Sequence, residues 1–137
     1  MDKRKVGSIW VLIIGILIII LGLIHNAATS IVFHMGSFEK LPKEDGLVFI
    51  YMYVATGTAV IAAGLLTIYC SFALKKSERM AWTITIAVCI FMILLGIGAI
   101  ITMTDNPFAY IMLVLPLLEI IPLLNYKNEF IKGSNKE

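Results

Sequence analysis

Charge is scarce in this chain. Asp, Glu, Lys and Arg make up 15 % of its 137 residues, against about a quarter in a soluble domain, and they leave four long stretches almost empty. An ordinary water-soluble fold is excluded. The formal net charge of +2 sits at segment ends and not in a patch, so the chain carries no footprint for nucleic acid. Cysteine is reduced to Cys70 and Cys89, each inside an apolar run and not spaced as a metal or redox motif. Both read as small packing residues. The only histidines are His25 and His34. Nine residues apart, they would point from opposite faces of one helix, and the rest of the chain has none to pair with them across helices. Neither a metal nor a haem is expected. There is no HExxH, no GxSxG, no phosphate-binding loop and no serine near a paired base, so neither a cofactor nor enzymatic activity is expected.

What fills the chain instead is hydrocarbon. Sixty per cent of the residues are hydrophobic and the mean hydropathy is +0.95. A membrane-crossing helix needs about 20 mostly apolar residues, and four runs meet that length: residues 9–33, 47–74, 81–102 and 107–126. Gly36, Pro42 and Gly46 break the chain after the first run, KKSER after the second, and TDNP after the third. Ser77 is a possible cap for the third helix, and Asn106 followed by Pro107 is a helix-start signal. The N-terminal run could also be read as a cleaved signal peptide ending near Ala28, Thr29 and Ser30, but Ile9 to Ile24 is slightly long for one. The whole chain, residues 1–137, is therefore expected to be one integral membrane domain: all-α, a four-helix antiparallel bundle with short connections.

Lysine and arginine set its orientation, because they are retained on the cytoplasmic side. Nine of the eleven lie in the N-terminal tail, the KKSER turn and the C-terminal tail; Lys40 and Lys43 are the exceptions. Both termini are expected to be cytoplasmic. Helices in lipid approach closely where small residues line a face. Ser8, Gly15, Gly22 and Thr29 recur at seven-residue spacing in the first span, and Gly57, Gly64 and Ser71 in the second. The two stripes are expected to meet as a tight hairpin. A weaker stripe in the third span runs through Ala81, Thr85, Cys89, Met92 and Gly96.

Two places carry possible chemistry. In LPLLEIIPL, residues 115–123, Glu119 is the one ionisable acid well inside a span, about 18 Å along its helix from Pro107. A charge at such depth costs at least about 3 kcal/mol on insertion scales, which makes it a functional candidate by default. Pro116 and Pro122 deprive the carbonyls of Met112 and Leu118 of their helical donors. A protonated Glu119 could instead serve as a structural plug by bonding to such a carbonyl. His25, in LIHNAATS, falls about 24 Å beyond Ile9, at the opposite interface and too far from Glu119 for a direct proton relay. Asn26, Tyr51 and Tyr53 accompany it, which points to a shallow outward pocket between the first two helices with an apolar floor.

Neither the arginine- and glycine-rich signature of fluoride channels nor the first-helix glutamate of small multidrug transporters is present. Isoleucine and lysine usage points to a low-GC bacterial genome. The expected role is non-enzymatic: an accessory or interaction protein of the cell membrane. It would bind a membrane partner, a second copy or a lipid-like ligand through His25, Asn26, Tyr51 and Tyr53. The alternative is a small oligomeric proton-coupled transporter or channel with Glu119 as the titrating group.

Overall fold

The computed structural model describes residues 2–34 and 40–131. Gly36 and Glu39 of the first connection, and Lys132 and Lys136 of the C-terminal tail, lie outside the described residues. Every regular element among the described residues is helical: α1 (Lys3–Phe33), α2 (Lys43–Lys75), α3 (Arg79–Thr102), α4 (Pro107–Asn125) and the short α5 (Lys127–Ile131). The first four are each long and apolar enough to cross a membrane, as in a small multi-pass membrane protein. They also expose large apolar side chains freely, among them Leu94 (64 %) and Ile101 (74 %). Water would penalise such a surface and lipid does not.

The first three helices extend past their apolar runs. α1 starts at Lys3, where the Asp2 carboxylate accepts a hydrogen bond from the Arg4 amide at 3.1 Å. α4 starts as its sequence signal predicts, with the Asn106 side chain accepting from the Phe108 amide at 3.0 Å and Pro107 in the first turn. α3 departs from expectation: its N-cap is Glu78, without a side-chain bond. Ser77 does not cap it. Ser77 takes a left-handed φ of 61°, which turns its hydroxyl away from α3. It accepts from Arg4 Nη1 at 2.8 Å and donates to the Glu129 carbonyl at 3.3 Å. One serine thus ties together α1, the α2–α3 turn and α5. This is the basic end of the bundle.

α1 packs on α2 and α4, and α3 packs on the same two, so the four helices close a ring. The α1–α2 contact is the most intimate because the two glycine stripes meet. A Cβ placed on Gly22 would stand 2.9 Å from the Gly57 carbonyl oxygen, and one on Gly64 would stand 2.8 Å from that of Gly15. Each glycine faces both the partner backbone and an isoleucine side chain, Ile61 for Gly22 and Ile19 for Gly64. Gly96 likewise faces backbone between α3 and α4, 2.9 Å from Leu113 Cα. Two apolar clusters fill the interior. One, toward the far end, is built around Ile18, Leu21, Val60, Met92 and Met112. The other, at the basic end, is built around Val11, Leu74, Cys89, Leu123 and Phe130.

Candidate functional site

The sequence candidates fall into two separate groups. At the far end, one face of α1 meets the first turns of α2. His25 is 9 % exposed, and its ring stacks on Tyr53 with centroids 3.9 Å apart and planes 11° from parallel. Its Nε2 lies 3.1 Å from the Tyr53 carbonyl. A carbonyl can only accept, so Nε2 carries the proton. Phe49 extends the aromatic stack, 5.8 Å from Tyr53. Asn26, the next residue, packs its side chain on Gly57 of α2. Its amide donates weakly to Thr58 Oγ1 at 3.4 Å, and its enclosed Oδ1 has no hydrogen-bond partner among the described residues.

These two neighbours border two spaces. His25 lines a narrow cavity of about 50 Å³ with Thr56, Asn106 and apolar residues of α3 and α4. That leaves room for only a water or two. Asn26 lines an open groove of about 470 Å³ together with Thr29, Ser30, His34 and Ile50. Tyr51 takes no part in either, being 71 % exposed. Two residues from Tyr53, it points about 200° around the helix and reaches the lipid side. Metal ligation finds no support, since no three His, Cys, Asp or Glu side chains converge among the described residues.

Glu119 occupies the second place. It is 0 % exposed, and neither carboxyl oxygen has a hydrogen-bond partner among the described residues. The plug expectation therefore fails, because the carboxyl does not reach a carbonyl freed by Pro116 or Pro122. It faces the other helices. The Cys89 thiol lies against it, at a geometry short of a hydrogen bond, and Cys70 is within electrostatic range. Cys70 in turn neighbours Thr85, whose hydroxyl is spent on the Ala81 carbonyl at 2.7 Å. One turn before Cys70, the fully buried Thr67 hydroxyl is also unpaired. Both thiols are free and buried.

Sequence reading singled out Glu119 but missed this polar company. The signal was present in α3, whose stripe at four-residue spacing carries Thr85 and Cys89 inward. Nothing in the sequence alone marked Thr67. His25 and Glu119 share no partner, and the apolar cluster of Ile18, Val60 and Met92 belongs to neither group. Comparison with protein-family models, with curated proteins and with solved structures gives no match.

Proposed function

We infer that this is a multi-pass membrane protein without enzymatic activity, an accessory or interaction protein that binds a membrane partner or lipid-like ligand in the groove between the far ends of α1 and α2. One observation carries the reading: the open groove of about 470 Å³ is lined by Asn26, Thr29 and Ser30 of α1 beside the apolar Ile50 of α2. His25 and Tyr53, stacked and joined by the Nε2 bond, fix α1 against α2 beside the groove. The helices are taken as antiparallel, with both termini cytoplasmic. The contacts of Gly15 with Ile68 and of Gly22 with Ile61 support the first point, and the lysines and arginines gathered at the basic end support the second. The groove then opens to the outside.

A photoreactive side chain at Ser30 tests this in native membranes. A discrete adduct that disappears in Asn26→Leu is the expected result. Adducts no different from those formed at the lipid-facing Leu94 would refute it.

The second reading, a proton-coupled transporter, is favoured by the unpaired, fully buried Glu119 carboxyl. Against it stand the apolar clusters, which leave no polar route across the bundle. Glu119→Gln keeps shape and removes titration. Proton flux in liposomes that the native chain supports and this variant loses would establish transport and displace the accessory role.

A further inference from the structure

We propose that the α1–α4 groove at the basic end is a binding site for an anionic phospholipid, with one acyl chain in the groove and the phosphate at Lys3. The groove, about 260 Å³, is lined by Trp10 of α1, by Leu118, Ile121, Pro122 and Asn125 of α4, and by Tyr126. Its α4 residues follow helical spacing, so they form one continuous apolar face that ends in an amide. Trp10 and Tyr126 are the residue types that settle at the headgroup level. Beside the groove the Tyr126 and Phe130 rings pack on Gly7, where an added Cβ would stand 2.7 and 2.6 Å from them.

Two polar features suit a phospholipid head and not bare hydrocarbon. Pro122 leaves the Leu118 carbonyl without its helical donor at the groove wall. A headgroup or glycerol hydroxyl can supply one. Charge is complementary as well. Lys3 is exposed and lies seven residues before Trp10, two turns toward the basic end on the same face of α1. Lys5, also exposed, lies five residues before Trp10 and so about 140° round α1 from it; Arg4 is engaged with Ser77 and Asp2, and Lys127 lies 5.0 Å over the Trp82 ring. Lys75 ends α2 and Lys76 caps it, and the groove has no lining residue from that helix.

Native mass spectrometry of the purified full chain tests the site, with phosphatidylglycerol and phosphatidylcholine offered at equal concentration. Retention of the anionic lipid should exceed that of the zwitterionic one by about fivefold, the effect of one lysine near a lipid surface. Lys3→Gln should abolish that preference and Lys76→Gln should preserve it. Ile121→Trp, which fills the groove at a half-exposed position, should lose retention of both lipids while circular dichroism stays unchanged. Equal retention of the two lipids by the native chain would overturn the proposal. So would an equal effect of Lys76→Gln and Lys3→Gln, which would mean general attraction to charge, or undiminished retention by Ile121→Trp.

Discussion

A carboxyl group with no partner at the centre of a helix bundle is expensive at any protonation state, and Glu119 is such a group. The polar groups around it, the Cys89 and Cys70 thiols, are weak partners. If stability were all that mattered, an apolar residue of similar volume would serve better, since replacing buried ionisable groups with well-packed hydrophobes is often neutral or stabilising. Glu119→Leu is therefore expected to raise unfolding stability in mixed micelles by about 1 kcal/mol, and Glu119→Gln to change it little. A loss of more than that in the leucine variant would mean that the acid holds the bundle together through a bond absent from this conformation. The stacked His25 behaves oppositely, as every polar group it presents to α2 is satisfied there.

At the scale of helices, glycine decides how near two backbones come. Gly22→Ala forces a methyl group to within 2.9 Å of the Gly57 carbonyl, and backbone cannot swing aside as a side chain can. A destabilisation of about 1–3 kcal/mol is expected. Gly98→Ala, with open space around its Cβ, should be neutral or gain up to about 1 kcal/mol from helix propensity. Thermal unfolding of the two variants side by side distinguishes a specific interlock from a general effect of glycine. The turn at Ser77 offers a second comparison. Ser77→Ala loses the bonds to Arg4 and Glu129 yet keeps the left-handed backbone, whereas Ser77→Gly loses the same bonds but relieves a strain of about 1 kcal/mol. The glycine variant should be the more stable of the two by about that margin.

These elements also show how far sequence reaches. Four helices were legible because apolar runs of spanning length stand between unmistakable breakers. The early start of α1 at Lys3 was not, since charged residues at the membrane surface can continue a helix without any hydropathy signal. Ser77 looked like a cap because serine usually is one, and only tertiary bonds could recruit it elsewhere. The small-residue stripes gave the facing surfaces of α1 and α2, but not their register. For that reason Tyr51 and Tyr53 looked equivalent in sequence, and only Tyr53 lies under His25.

For the whole molecule, sidedness is the property most open to direct measurement. The two native cysteines are buried at 1 % and 0 % exposure, so they contribute little background to thiol labelling. On the proposed orientation, Lys40→Cys should react with an impermeant maleimide on intact cells, and Asp2→Cys only after the membrane is opened. Reaction of Asp2→Cys but not of Lys40→Cys on intact cells would reverse the orientation and move the Asn26 groove to the cytoplasmic face.

The interlocked glycines of α1 and α2 carry an implication for biosynthesis. Both helices leave the ribosome before α3 is made, and their closest contacts involve residues within the first 71 positions. The first half of the protein can thus assemble in the translocon as a finished unit and present a preformed surface to its second half. Severing the chain between Lys76 and Ser77 and producing the halves together should restore an assembled protein. The same experiment with a cut after Phe33 should not, because it would leave the tightest joint to be found by diffusion.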